Sequence, residues 1–392
     1  MKNPLQFIFN FFLLAIIIFL GYLLFIHDKE SLAEDQNIAN NLPQNQQQEE
    51  NLEKSRTKVP EKEIRSIYIT SYTASNKNRM EEIIDFIKAT ELNSVIIDIK
   101  DYSGTLAYDS QIEIINQLGN DRDLIKDLPQ LIKKLHQQGI YVIARQTVFQ
   151  DPELTKKKPE WAVKNSVTGG LWYDWKGLSW ADASIEEVWN YNLAIAKEAI
   201  NLGFDEINFD YIRFPSDGPM AQMQFANLKG RTKAEVMRDF YKFLHENLND
   251  EPAYISGDLF GLTTERNDDM NIGQQLEDAI LYFDYVCPMV YPSHYPSGYL
   301  NIDNPAASPY PVIKNALEKG QESIAGIENR KGKIRPWLQA FNMGAVYTPA
   351  MIDAQIKAAA EAKSYGYFLW NARNVYNYAP KDSSQFIYQN IL

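Results

Sequence analysis

The 392-residue sequence contains a single cysteine, Cys287. No disulfide can form within one chain, so the fold depends on burial rather than covalent staples, which a domain of this size can supply. Histidine is almost as scarce. His27, His136, His245 and His294 are scattered, and no HxH or HExxH pair occurs, so a histidine-based metal centre has no footing. There is no GxGxxG or Walker-type loop to cradle a nucleotide, and no GxSxG elbow to present a serine nucleophile. Dense runs of Lys and Arg are also absent. With a formal charge of -12, the chain lacks the basic footprint of a nucleic-acid surface.

Turning to what is there, residues 5–26 are almost wholly apolar and uncharged. A helix of about 20 such residues crosses a bilayer. Two assignments compete. Lys2 and the small residues Ser31 and Ala33 loosely imitate a cleaved signal peptide, but the run is longer than the roughly 7–15 residues of such a peptide's apolar region. The length favours an uncleaved anchor over residues 1–30. Lys2 inside and acidic residues beyond the span place the bulk of the chain outside the cytoplasm, or secreted if the segment is cleaved. Residues 31–63 then change to Gln, Asn, Glu and Lys, including QNQQQEEN. Such a segment cannot bury enough apolar surface to offset its ordering entropy and is expected to be a flexible polar tether. The remainder, 64–392, is rich in aromatics and sized for one large domain.

Within that domain, short apolar or alternating runs recur between amphipathic stretches, the pattern of repeated βα units. Strands are expected at 66–70, 94–100, 141–146, 206–211, 254–259, 285–291, 335–340 and 367–371. Helical periodicity appears at 77–90, 124–138, 185–202, 233–248, 272–282 and 348–364. A doubly wound open sheet is the alternative. Eight units with polar strand ends favour an α/β (β/α)8 TIM barrel, preceded by a transmembrane helix and a flexible linker.

In such a barrel the chemistry sits at the C-terminal strand ends. Those ends are chemically loaded here: Asp98, Lys100 and Asp101 after the second strand, Arg145 after the third, Asp258 in the fifth. Tyr291 and His294 follow the sixth, Gln339 ends the seventh, and Trp370 and Asn371 end the eighth. The fourth strand lies in GFDEINFDYIRFP. Its side chains alternate, so Asn208 and Asp210 share the inner face while Ile207 and Phe209 face the helices. Neighbouring strands stand about 4.8 Å apart, which could bring Asp210 and Asp258 within the roughly 5–5.5 Å of a retaining glycosidase pair. Asp210 is then nucleophile or base and Asp258 acid/base, with Arg213 keeping a nearby carboxylate ionised. The competing account has one or both aspartates merely hydrogen-bonding Arg145, Lys100 or loop backbone. A divalent ion on Asp98, Asp101 and Asp210 is a further alternative; no metal or cofactor is assigned.

The long loop at 151–181 holds Trp161, Trp172, Tyr173, Trp175 and Trp180. Long loops in compact domains tend to be functional, and flat rings cover the apolar faces of sugars. A packed mini-core accounts equally well for several of these rings. Trp172 and Trp175, flanked by Gly169, Gly170 and Gly177, are the expected lid residues.

Taken together, IIDIKDYSG, GFDEINFDYIRFP, SGDLFG and PMVYPSHY resemble a bacterial family of glycoside hydrolase-type barrels, often secreted or membrane-anchored. The resemblance spans roughly residue 64 to the C-terminus. It implies a TIM barrel related to carbohydrate-active superfamilies such as the α-amylases, with extracellular polysaccharide as substrate class. Chitinase-type barrels look similar at Asp205, Asn208 and Asp210 and at Met289–Val290–Tyr291. However, Ile212 stands where their general-acid glutamate would be. An α-amylase-type division, nucleophile on strand four and acid/base on strand five, fits Asp210 and Asp258 better. Asp98, Lys100, Arg145, Arg213, Tyr291, His294 and Trp370 would orient sugar hydroxyls. A non-catalytic carbohydrate-binding or envelope-organising barrel and a transglycosylase remain the other two functions compatible with these residues.

Overall fold

A computed structural model describes residues 56–376. The expected anchor at 1–30 lies outside the described residues, as does the tether through residue 55. Among the described residues no helix is long and apolar enough to cross a membrane.

The described chain is a closed parallel barrel. Its walls are β1 (Ile64–Ile69), β2 (Ser94–Lys100), β3 (Tyr141–Thr147), β4 (Glu206–Asp210), β5 (Tyr254–Phe260), β6 (Tyr285–Met289), β7 (Trp337–Gln339) and β8 (Gly366–Trp370). The strands follow one another in chain order, β8 pairs with β1, and Trp337 opposite Met289 closes the ring between β6 and β7. The seventh wall begins with Lys333–Ile334, which also pairs with β6. Pro336 separates the two pieces because it has no N–H to offer a ladder.

Helices α1 (Lys77–Ala89), α2 (Leu128–Gln137), α3 (Glu186–Asn201), α4 (Lys233–Leu248), α5 (Leu276–Tyr282), α6 (Pro309–Ile324) and α7 (Pro349–Glu361) cover the outside. Local chemistry starts them. Asn76 caps α1, and Thr232 with Glu235 forms a reciprocal capping box at α4, each satisfying N–H groups the helix itself leaves open. Helix α6 was not anticipated from periodicity. Pro309 and Pro311 both fall in its first turn, where a missing N–H costs nothing.

Two cores result. The larger joins the outward strand residues, such as Ile67, Val95, Val142, Ile207 and Phe209, to the buried helix faces. The smaller fills the barrel itself with Ile64, Tyr68, Ile96, Tyr141, Ile143, Tyr285, Cys287, Tyr291, Trp337 and Phe368. Near the floor of this interior, Arg335 Nη1 donates to both carboxylate oxygens of Glu206 at 2.9 Å, with both side chains fully buried. Tyr285 lies beneath the Arg335 guanidinium, 3.5 Å from ring centroid to Cζ. The end of the range expected to be a tether docks here. Tyr254 donates to the carbonyl of Val59 (2.9 Å), and Glu61 accepts from Tyr285 (3.1 Å) and Lys333 (2.6 Å).

Candidate active site

Parallel strands of one barrel present their C-terminal ends on the same side, so the upper inward residues of β2, β3, β4 and β5 meet there. Asp98 is the register partner of Arg145, and Arg145 that of Asn208. Arg145 consequently stands between two carboxylates. Its Nη1 donates to Asp98 Oδ1 at 2.5 Å, and its Nη2 donates to Asp210 Oδ2. Tyr68 donates its hydroxyl to the other oxygen of Asp98. The expected cation partner of the site was Arg213; the structure gives that position to Arg145, because strand alternation aims it at both neighbours.

On β5, Asp258 is buried. Its Oδ1 accepts from Asn208 Nδ2 (2.8 Å) and from Trp337 Nε1 (2.7 Å), whereas Oδ2 has no hydrogen-bond partner among the described residues. Phe209 pairs with Gly257, so Asp210 and Asp258 sit one step further along adjacent strands. Their environments differ. Burial, and then the charge of Asp210, push the Asp258 carboxyl well above the ordinary carboxylate range, with Arg145 opposing. Burial also raises Asp98, against the pull of Arg145. Burial works against the Arg145 charge, but the two aspartates outweigh it and hold the guanidinium firmly protonated.

Tyr211, next after Asp210, has φ 54°, a left-handed backbone that a bulky residue adopts only when its surroundings enforce it. Its N–H turns back onto Asp210 Oδ1 at 2.5 Å. Both oxygens of Asp210 are thereby fixed.

A cleft of about 260 Å³ opens over these groups. It is lined by Asp210, Asp258, Arg145, Arg213, Tyr291, His294 and Trp370, which the sequence had singled out, and by Lys176, Phe260 and Trp337, which it had not. Tyr291 and Trp370 stack at 5.6 Å with Phe341 edge-on to both. His294 stands exposed at the rim, 5.4 Å from the Tyr291 ring, its imidazole shifted towards the neutral form by partial burial.

Other expected site residues lie elsewhere. Lys100 was expected at the mouth, but it is fully buried on the helix side, ion-paired with Asp151 (2.7 Å) and bonded to the Thr147 carbonyl (2.9 Å). A register shift between Asp98 and Lys100 breaks the alternation and turns it outward. Asp101 accepts from Ser103 N (2.9 Å) in the following turn. Trp172 was expected in a lid; it is fully buried instead, donating to the Pro219 carbonyl at 3.1 Å beneath Gly218. Trp175 is 75% exposed at a hairpin tip and does not line the cleft. Gln339 accepts from Ser293 N (3.1 Å), and Asn371 donates to the carbonyls of Ala340 (2.7 Å) and Val375 (2.6 Å), so both shape rim loops. Ile212, at the position compared with the chitinase acid, is fully buried in the outer core, and Asp205 pairs with His136 (2.8 Å) away from the cleft.

Asp98, Arg145 and Asp210 form one charge-alternating row, so the space a divalent ion would need between the carboxylates is taken by a guanidinium. Among the described residues no cluster of three or more His, Cys, Asp or Glu is arranged to hold a metal.

The architecture recurs in solved structures. The glycoside hydrolase domain of PgaB (BpsB) from Bordetella bronchiseptica is 13% identical, the match covering 80% of this chain and 94% of that one with a TM-score of 0.57. The α-galactosidase TtGalA from Thermus thermophilus is 12% identical over 81% and 60% of the two chains, with a TM-score of 0.51. A hypothetical protein from Ruminiclostridium thermocellum is 35% identical over 53% of this chain and 98% of that one, with a TM-score of 0.46. No curated protein matches the sequence. Residues 66–376 match the family model described as "Putative glycosyl hydrolase domain", and this span takes in all but the first two residues of the barrel walls and every residue lining the cleft. The chain belongs to that glycosyl hydrolase family.

Proposed function

We propose that the protein is a glycoside hydrolase acting on an extracellular polysaccharide, with Asp210 and Asp258 as its catalytic pair. The observation that carries this is the unequal environment of two carboxyls lining one cleft. Asp210 is ion-paired with Arg145, whereas Asp258 is buried with one oxygen unpartnered among the described residues and its pKa driven upward. Two carboxyl groups whose environments separate their protonation are what glycosidic cleavage requires: one to attack or to activate water, one to protonate the leaving oxygen. Asp210 is assigned the first role and Asp258 the second.

Arg145, Arg213, Tyr291, His294 and Trp370 would orient sugar hydroxyls around that pair. A more open depression of about 700 Å³ shares Phe260 with the cleft and extends over Ser216, Met220 and Leu262. The shared Phe260 wall supports a substrate longer than the cleft itself. The apolar run at 5–26 supports membrane anchoring with the barrel outside the cytoplasm, held off the bilayer by the polar segment.

The test is product analysis of fractionated cell-wall and exopolysaccharides incubated with the full-length protein, with Asp210→Asn as control. New reducing ends from wild type, reduced roughly 10²–10⁴-fold in the variant, are expected. Equal cleavage by both proteins refutes the assignment of Asp210. Sugar binding without any product supports the carbohydrate-binding function instead.

A further inference from the structure

Arg213 forms no ion pair among the described residues. It is more than nine-tenths buried, and its one hydrogen bond among the described residues is from Nη1 to the neighbouring carbonyl of Phe214 at 3.0 Å. Three rings surround the guanidinium: Phe260, Trp180 and Tyr211, with centroids 4.6, 4.8 and 5.2 Å from Cζ. Ring faces compensate part of the lost hydration of a guanidinium but accept none of its in-plane N–H bonds.

Carboxylates are nearby, and each is occupied elsewhere. Asp210 is held by Arg145 and the Tyr211 amide. Asp174 accepts from Lys176 N and Leu178 N, both at 2.9 Å, and from Trp180 Nε1 at 3.2 Å. Asp217 accepts from Trp175 N at 3.3 Å. None forms an ion pair with Arg213 among the described residues. The Asp174 bonds shape the hairpin tip that carries Lys176 over the same cleft, and Lys176 is likewise outside every ion pair among the described residues. In a chain of net charge -12, two cations that belong to no ion pair among the described residues face one small cleft.

An unpaired buried cation costs stability, and completing its planar fork with an oxyanion recovers charge-assisted hydrogen bonds. We propose that Arg213 and Lys176 form a subsite for an anionic substituent of the sugar chain, a carboxylate or a phosphate or sulfate ester, beside the bond being cleaved. This rests on the glycan-cleft assignment above and narrows the substrate class to acidic glycans. Phe260, Trp180 and Tyr211 hold the guanidinium plane, and Lys176 closes over the anion from the exposed side.

The experiment is equilibrium binding of the full-length protein in detergent to matched probes. Oligogalacturonate and hyaluronate oligosaccharides are compared with their neutral methyl esters, and a glycerol-phosphate oligomer and a sulfated oligosaccharide test the ester anions. At least one anionic probe should bind about tenfold or more tighter than the neutral probes, with a preference that weakens as salt rises. Arg213→Gln abolishes the preference and Lys176→Ala reduces it. Because Arg213→Gln alters a buried side chain, its folding is checked by thermal unfolding, while the exposed Lys176→Ala and the salt dependence provide independent readings. The anionic arm that binds identifies the substituent. Equal affinity for charged and neutral probes, no binding of any anionic probe, or a preference that survives both substitutions overturns the subsite. Selective binding without cleavage keeps the subsite and removes hydrolysis; cleavage of neutral polymers without anion preference does the reverse.

Discussion

Trp337 donates its indole N–H to Asp258 across 2.7 Å, from a strand that is not a neighbour of the one bearing the carboxyl. That bond favours the ionised form and works against the burial that raises the group. In the proposed role of general acid, Asp258 must be protonated at the start of the reaction. Activity should therefore fall as pH rises through its elevated pKa, and Asp258→Asn should remove the activity with that limb. Trp337→Phe deletes a bond that lowers the pKa, so the alkaline limb should move to higher pH. Initial rates of reducing-end release across pH check the sign; a shift to lower pH contradicts the role of the indole.

Arg145 neutralises two carboxylates at once, so its loss should be felt as stability before it is felt as binding. Arg145→Leu leaves Asp98 and Asp210 buried without their cation, an expected cost of about 3–5 kcal/mol near neutral pH. Without the guanidinium, the Asp98 carboxyl, already raised by burial, rises further above its unfolded value, and the variant's deficit grows with pH between the folded-state values of wild type and variant. It should shrink as pH falls below the ordinary carboxylate range, where the carboxyls are protonated in either state. Urea unfolding of wild type and variant at several pH values measures this.

Glu206 and Arg335 predict the opposite separation, because they are fully buried near the floor, away from the cleft. Arg335→Ala should cost about 3–5 kcal/mol, while the paired change Glu206→Leu with Arg335→Met should recover most of it. Rates per folded molecule should stay close to wild type. Chemical unfolding followed by activity at a temperature where every variant is folded separates the two effects.

Stripping Tyr291 or Trp370 to alanine removes half of a stacked pair on one wall of the cleft. The loss should appear mainly in KM if these rings bind substrate and transition state alike, since uniform binding leaves kcat unchanged. Saturation kinetics on whichever polymer is cleaved decide it.

The eight walls were legible because short apolar runs recur between amphipathic stretches, and β4 itself alternates cleanly between polar inward and apolar outward residues. Asp210 and Asp258 could be placed near each other by that rule alone. Lys100 defeated it, since one shifted register exchanges the two faces and no local residue type announces the shift. The contact between Asp258 and Trp337 crosses the barrel, and sequence spacing carries no record of such a distance. Which arginine serves the carboxylates depended on pairing: Arg145 lies in register with Asp98 and Asn208, whereas Arg213 follows the turn at Tyr211. The tryptophan loop was recognised as unusual, but whether each ring faced the cleft or its own packing depended on partners such as Pro219 and Asp174.

The left-handed turn at Tyr211 also limits how this barrel could be re-engineered. Immediately beyond it, Ile212 is directed into the helix layer, where its carbonyl accepts from Tyr241 at 3.2 Å, while Arg213 returns to the cleft. A glutamate introduced at 212 would not arrive beside the substrate as a transplanted acid. It would place a carboxylate among Phe283, Gly257 and the other apolar contacts of that layer, so a single-residue route to chitinase-type chemistry is closed by backbone geometry rather than by the choice of side chain.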